Sequence, residues 1–129
     1  MITVTTLVDF PPEEIRCIEI AVQHETTGKL YQGVVEVAQV VINRTNSSNY
    51  PNTPCAVIYQ KHQFTNIRRT TKVSQKARDA TAKALESYKD GTANKKIIAF
   101  HSLKTAPKSW HKLHLVLRKG DHMFYSKEP

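Results

Sequence analysis

The chain has 129 residues, of which 40% are hydrophobic and 23% are charged, with two cysteines and a net charge of +8. This length suits one domain over residues 1–129 that buries a core without needing metal or disulfides. The apolar runs are too short for a membrane span, and the first nine residues lack the parts of a secretion signal, so we expect synthesis in the cytoplasm without a signal peptide.

The charge is divided unevenly along the chain. Residues 1–60 carry three basic and six acidic side chains, a balance of −3, whereas residues 61–129 carry sixteen and five, a balance of +11. A positive field of this kind attracts polyanions without specifying one. Anionic wall polymers, nucleic acid and acidic membrane surfaces all satisfy it, and so does a basic face that only contacts solvent.

The first two predicted elements are apolar helices that form a hairpin. The first begins at Pro12, where proline and the following carboxylates favour a helix start, and extends to about His24. The second covers about Tyr31 to Arg44, and its apolar side chains recur on one face: Val34, Val37, Ala38 and Val41. The corner between the two helices therefore contains Glu25.

Two further helices follow a loop rich in turn-forming residues. Thr53 is placed to cap a short helix that starts at Pro54. A longer helix is predicted from Ser74 to Tyr88 and is closed by Asp90 and Gly91. Its basic side chains are expected to face solvent together with the lysine that precedes it: Lys72, Lys76 and Lys83.

The pattern changes after Gly91. A short apolar run within residues 95–102 and two further runs at His114–Leu117 and His122–Tyr125 indicate strands, with residues 118–121 as the connection between the last two. The whole pattern predicts an α+β protein with a mainly helical core and a small C-terminal antiparallel β-sheet.

The two cysteines, Cys17 and Cys55, are expected to be free thiols that act as small core residues, because the chain shows no secretion signal. A disulfide between them is the alternative, because the sequence does not show how far apart the two cysteines lie in space.

Glu25 is the candidate catalytic residue. It continues an apolar stripe at helical spacing, so it should point along the buried face: Ile15, Ile18 and Val22. Loss of hydration there favours the protonated carboxyl that a general acid requires, which is the chemistry of a glycosidase. The alternative is that Glu25 only ends the helix beside Gly28 and is solvated.

No metal and no cofactor are predicted. His24 and Glu25 match the first half of the zinc-protease motif H-E-x-x-H, but Gly28 stands where the second histidine is required. The six histidines show no other paired spacing that suits a metal ligand set.

Four segments of the chain follow one another as in a known family: Glu25 with Gly28; Gly33 with the run Val37–Arg44; Tyr50–Thr53 with Val57–Phe64; and Gly120–Tyr125. In this order and spacing the chain resembles the SleB-like cell-wall hydrolases, the family of the spore cortex-lytic enzyme. The resemblance implies a lysozyme-like fold in which the glutamate, at the end of a helix, faces a groove. It departs from the family pattern at Lys29, where the family has a second glutamate, and at Thr26.

The resemblance implies cleavage of the β-1,4 bond between N-acetylmuramic acid and N-acetylglucosamine in peptidoglycan, by hydrolysis or as a lytic transglycosylase, with Glu25 as the one catalytic carboxylate. Glu19 and Glu36 are explained better as surface charges. The groove is expected to bind the glycan through five further residues: Gln63, Phe64, Tyr31, His101 and Tyr125. A packing role is an equal alternative for Phe64.

The expected partners are peptidoglycan glycan strands and anionic wall polymers, and the protein is expected to be a monomer. Its size and charge suit a protein encoded by a phage for lysis or carried in a virion. One alternative is a wall-binding module that lost its chemistry at Lys29. A second is a basic nucleic-acid binder, which no recognition helix or stacking motif supports; its candidate residues are Arg68, Arg69, Lys72, Lys76 and Lys83.

Overall fold

The computed structural model describes residues 8–25, 34–60, 72–102, 113–119 and 122–127. These ranges contain four helices and one sheet, in the order α1 (Pro12–Glu25), α2 (Val34–Thr45), α3 (Pro54–Ile58), α4 (Gln75–Lys89), β1 (Ala99–Ser102), β2 (His114–Lys119) and β3 (His122–Ser126). The α+β prediction is confirmed. No helix within these ranges has the length and apolar character that crossing a membrane requires.

The boundaries agree with the predicted ones apart from small shifts. α1 includes Glu25 as its last residue, and α4 extends through Lys89. The predicted connection between the last two strands was too long, because Arg118 and Lys119 belong to β2 and pair with β3. The predicted start of the second helix lies outside the described residues.

Helix α2 is the centre of the domain and is buried on nearly every side. α1, α3, α4 and β1 all pack against it. The sequence pattern predicted one apolar face, yet Val40 and Ile42 are also fully buried, and three polar residues are almost completely buried: Gln39, Asn43 and Arg44. A helix enclosed by neighbours loses its solvent face, so its polar residues must find partners inside the protein.

Helices α1 and α4 run antiparallel to each other. At one end, the backbone N–H of Ser74, which precedes α4, donates to Oε1 of Gln23 near the end of α1, at 2.9 Å. At the other end, the N–H of Cys55 in α3 donates to Oε2 of Glu14 in the first turn of α1, at 2.9 Å. Since α3 follows α2 closely, α2 also runs antiparallel to α1, and the two ends of this hairpin lie roughly 20 Å apart.

The sheet has the strand order β1-β3-β2, and both pairings are antiparallel. Phe124 on the central strand is fully buried and lies opposite Phe100, with 5.7 Å between the ring centroids. Because successive side chains of a strand point to opposite faces, Tyr125 lies on the other face from Phe124. A bulge interrupts the register between Leu115 and Leu117.

Local capping residues explain where the helices begin and end. The hydroxyl of Thr53 accepts from the N–H of Ala56, as predicted for the start of α3, and the hydroxyl of Ser74 accepts from the N–H of Ala77 at the start of α4. Gly91, with φ of 82°, takes the left-handed conformation that ends α4.

Cys17 and Cys55 form a disulfide, which corrects the expectation of free thiols. Their Cα atoms are 5.1 Å apart, because α3 packs its first turn against the first turns of α1. Free thiols were expected from the absence of a secretion signal, whereas the pairing of the cysteines depends on how two helices pack. The bond closes a loop of 38 residues that contains the whole of α2.

We predict that the double variant Cys17→Ser, Cys55→Ser is less stable than the wild-type protein. A cross-link over this loop restricts the unfolded chain, and its loss costs about 4 kcal/mol in the chain-entropy view, or a fall in Tm of about 10–15 °C. Thermal unfolding followed by circular dichroism measures the shift. A reductant should lower the Tm of the wild-type protein by a similar amount and leave the variant unchanged; a wild-type Tm that ignores the reductant would contradict the role of the bond.

Candidate functional site

Glu25 lies at the end of α1, on the side that continues the buried face. Ile18 and Val22 are fully buried, and Glu25 itself is half-buried as the last residue of the helix. Glu25 is thus carried by a helix at the edge of the core, where the residue stays partly open to solvent. The segment that follows, residues 26–33, lies outside the described residues and includes Lys29.

The other predicted glycan-binding residues divide into two groups. Gln63, Phe64 and Tyr31 lie outside the described residues. His101 belongs to β1, where its backbone pairs with Met123. Tyr125 is half-buried on β3 between its neighbours in the sheet, Ala99 and Leu115.

The backbone contacts of Tyr125 connect it to the far end of α2. Its carbonyl accepts from the N–H of Ile98 at 2.9 Å, and the carbonyl of Ile98 accepts from Nε of Arg44 at 2.7 Å. Glu25 ends α1 at the opposite end of the hairpin. The contacts of the described residues therefore anchor these two predicted site residues at different places, and a groove that contains both stays a prediction.

Glu19 is half-buried, next to two basic side chains. Burial raises the pKa of its carboxyl, and the positive charges of Arg78 and Arg16 act in the opposite direction. Arg78 belongs to α4, so Glu19 lies where α1 faces α4. These two basic neighbours give Glu19 a role at the contact between α1 and α4. Glu25 lies further along α1, at its end.

The asparagine and arginine at the end of α2, both quoted in the family resemblance, hold the polypeptide that leads into the sheet. Nδ2 of Asn43 donates to the carbonyl oxygens of Asn94 and Ile97 at 2.9 and 2.7 Å, and its Oδ1 accepts from the hydroxyl of Tyr88. Every polar atom of this side chain is thus used, inside the core. The motif residue Asn43 has a structural role.

Arg44 is the buried cation of the domain's core. Its guanidinium lies 5.1 Å from the ring centroid of Tyr50, in addition to the hydrogen bond that Nε makes to Ile98. Burial lowers the pKa of the guanidinium, while Tyr50 raises it. A cation stacked on an aromatic ring keeps its charge at neutral pH and fixes the loop that carries Tyr50.

A polar cleft of about 350 Å³ lies next to these two residues, at the far end of the hairpin from Glu25. Its lining includes Asn43, Asn46 and Tyr50 from α2 and the loop after it, together with three lysines: Lys95, Lys96 and Lys127. This cleft was not predicted from the sequence. The available signals were the adjacent lysines and the asparagine-rich loop after α2, but only the fold brings them together with the end of β3.

No three histidine, cysteine, aspartate or glutamate side chains come together as a metal site within the described ranges. The absence of a metal stays a prediction for the chain as a whole.

Comparison with known proteins identifies the family. Residues 28–125, about three quarters of the chain, match the sequence model of the Cell Wall Hydrolase family. The chain belongs to this family. The predicted family is thereby confirmed, while the matched region begins three residues after Glu25 and so does not include the candidate catalytic residue.

Individual relatives support the same assignment. The spore cortex-lytic enzyme of Bacillus subtilis is 28% identical over 78% of this chain. The catalytic domain of the Bacillus cereus SleB protein superposes with a TM-score of 0.74 and 26% identity, over 91% of this chain and 92% of that domain. The catalytic domain of the germination-specific lytic transglycosylase SleB of Bacillus anthracis gives a TM-score of 0.73 at 26% identity, over 92% and 98%.

The chain spans only part of the curated relatives that it matches, 33% of the Bacillus subtilis protein and 45% of a Bacillus cereus one. It corresponds in extent to the solved catalytic domains, which it covers almost completely.

We predict that Asn43→Asp destabilises the fold by about 3 kcal/mol or more, because the new carboxylate cannot donate to the two carbonyls and brings a charge into the core. Asn49→Asp is the matched control: this asparagine is exposed in the loop after α2, and the same change should cost no more than about 0.5 kcal/mol. Urea unfolding of both variants measures the difference. Equal small losses would show that the Asn43 contacts do not hold the domain together.

Proposed function

We propose that this protein cleaves peptidoglycan at the β-1,4 bond between N-acetylmuramic acid and N-acetylglucosamine, as a lytic transglycosylase with Glu25 as its single acid–base residue. The observation that carries the proposal is the position of a half-buried glutamate at the end of α1 in a domain of the cell wall hydrolase family. A structural relative that this chain covers nearly end to end is named a lytic transglycosylase.

The place of Glu25 suits a residue that both donates and accepts a proton. Two fully buried residues on the same face, Ile18 and Val22, hold its helix against the core, so the carboxyl has a defined position. The last turn of α1 is also joined to the start of α4 through Gln23 and Ser74. Rigid placement matters because proton transfer requires hydrogen-bond distance to the reacting oxygen.

The proposed reaction needs one carboxyl group. Protonated Glu25 donates its proton to the glycosidic oxygen, and the bond from that oxygen to C1 of the muramic acid breaks. The 6-hydroxyl of the same sugar then attacks C1, and the Glu25 carboxylate removes the hydroxyl proton. The product is a 1,6-anhydro ring, and the glutamate returns to its protonated form without consuming water.

The carboxylates near Glu25 in sequence favour this scheme over one with two acidic residues. Glu19 lies near the basic side chains of Arg78 in α4 and Arg16 in α1, and Glu36 is half-buried in the first turn of α2. At the position where the family pattern has a second glutamate, this chain has Lys29. A one-carboxylate mechanism agrees with all three.

The disulfide supports action outside the reducing cytoplasm. Bonds of this kind persist at cell surfaces and in secreted proteins, and the wall lies in such an environment. We therefore infer that the protein is made in the cytoplasm and acts at the bacterial cell wall, where glycan strands and anionic polymers are its partners. A phage lysis or virion protein remains the proposed context.

We predict that Glu25→Gln lowers the rate of peptidoglycan cleavage by about a hundredfold to ten-thousandfold, because the amide keeps the shape but cannot deliver a proton. Clearing of a suspension of sacculi measures the rate. Mass spectrometry of the wild-type digest identifies the reaction, since anhydro ends are one water lighter than the reducing ends of a hydrolase.

Glu19→Gln is the matched control, since it makes the same change two turns earlier on the same helix. It should keep most of the wild-type rate. Thermal unfolding of both variants verifies the fold. If a folded Glu25→Gln protein cleaves as fast as the wild type, Glu25 is not the acid–base residue.

Lys29 makes a non-catalytic wall-binding module the second candidate. If Glu25 alone carries out the chemistry, Lys29→Glu should change the rate by no more than about tenfold, because the new charge acts only through the environment of Glu25. Lys29→Gln serves as the control that removes the cation without adding a carboxylate. An inert wild-type protein that gains cleavage only with Lys29→Glu would establish the binding module and overturn the enzyme proposal.

A further inference from the structure

The cleft beside Asn43 combines positive charge with groups that bind hydroxyls. Lys95, Lys96 and Lys127 are exposed at its edge, and amide, hydroxyl and phenol side chains form the rest of its polar lining, among them Asn46 and Tyr50. None of the described residues that line it is acidic. The lining therefore attracts an anion and offers hydrogen bonds to a polar chain attached to it.

A fourth positive charge lies behind the wall of this cleft. Arg44 is 6% exposed, stacks on Tyr50 and donates to the carbonyl of Ile98, and both of these residues line the cleft. Because its position is fixed by these contacts, its field is constant in direction, unlike that of mobile surface lysines. Charge near a low-dielectric wall acts over a longer distance than charge in water.

The cleft is separate from the proposed catalytic residue. It lies where α2 ends and the chain enters the sheet, whereas Glu25 lies at the end of α1, roughly one helix length of 20 Å away. A ligand bound here does not occupy the carboxyl of Glu25, so both places can be filled together.

We propose that this cleft is a second binding site, which holds a phosphodiester-linked polyol or sugar polymer of the bacterial wall and keeps the protein on its substrate. The proposal rests on the proposed action at the wall and adds to it where and how the protein is retained there. Lysine ammonium groups suit a phosphate, because its oxygens can be approached by a cation from many directions. The amides and hydroxyls can form hydrogen bonds with the polyol between the phosphates. The volume of about 350 Å³ is at the lower end of ligand sites and fits about one repeat unit.

The test removes the same number of charges from two places. One variant carries Lys95→Gln, Lys96→Gln and Lys127→Gln in the cleft; its control carries Lys72→Gln, Lys76→Gln and Lys83→Gln, three lysines that are exposed on and before α4. Both are made in the Glu25→Gln protein, so that the wall is not digested. Co-sedimentation with sacculi gives the binding constants, and thermal unfolding verifies the folds.

The cleft variant should bind untreated sacculi about tenfold more weakly, and the control should lose clearly less, because only the cleft charges act together on one ligand. Removing the phosphodiester polymers with hydrofluoric acid should weaken binding of the protein with intact lysines and abolish the difference between the two variants. Titration with purified poly(glycerol phosphate) should reproduce the order of affinities without any peptidoglycan present.

Three results would overturn the proposal. Equal losses in both variants would mean that only net charge matters. Undiminished binding to acid-treated sacculi would assign the anion to the carboxylates of the peptide stems. Failure to bind the purified polymer would exclude the phosphodiester as the ligand. A failure of the proposed catalytic function appears separately, as cleavage by the Glu25→Gln protein, and does not affect the polymer titration.

Discussion

The hydrogen bonds of Asn43 are the contacts on which the joining of the helices to the sheet depends. Burial of apolar surface drives the helices together but has no direction, and so does not determine how the chain leaves the bundle. Asn43 bonds at once to Tyr88 of α4 and to the two carbonyls that precede β1. Burial raises the pKa of Tyr88, which keeps its phenol neutral and able to donate. The network stabilises the fold only when every member is paired, because an unpaired buried polar group carries a desolvation cost.

This structural role explains why the run that ends in Asn43 and Arg44 is informative about the family. The two residues connect the central helix to the segment that enters β1, 54 residues later in the chain, so they characterise the fold. They say less about the reaction. In the proposed mechanism the chemistry rests on Glu25, which stands outside the region matched by the family model.

The antiparallel hairpin separates two chemical environments within one small domain. The end of α1 carries the half-buried glutamate, and the end of α2 carries a buried cation beside a polar, basic cleft. The disulfide and the contact of Glu14 with α3 stabilise the end of the hairpin where α1 begins and α2 ends. On the proposed reading, a polymer that is retained at one end of the rigid hairpin stays near the carboxyl at the other. In this proposal the positive C-terminal half of the chain attracts polyanions in general and also binds one of them in the cleft.

Local signals in the sequence determined the helices, their caps and the strands. Thr53, Ser74 and Gly91 act on the backbone within a few residues of themselves, and apolar spacing placed Ile18 and Val22 on the buried face of α1. The same spacing put Glu25 at the edge of that face. These features depend on neighbours along the chain, so the sequence alone contained them.

Only the tertiary structure decided the features that join distant segments. The sequence showed one apolar face on α2, because periodicity reports hydrophobicity and cannot reveal that Gln39, Asn43 and Arg44 would find partners inside. The Cys17–Cys55 bond required two helices to approach, and the cleft required lysines from two segments to meet the end of α2. Such contacts depend on the packing of elements far apart in the chain, and the composition of each segment does not record where it will be placed.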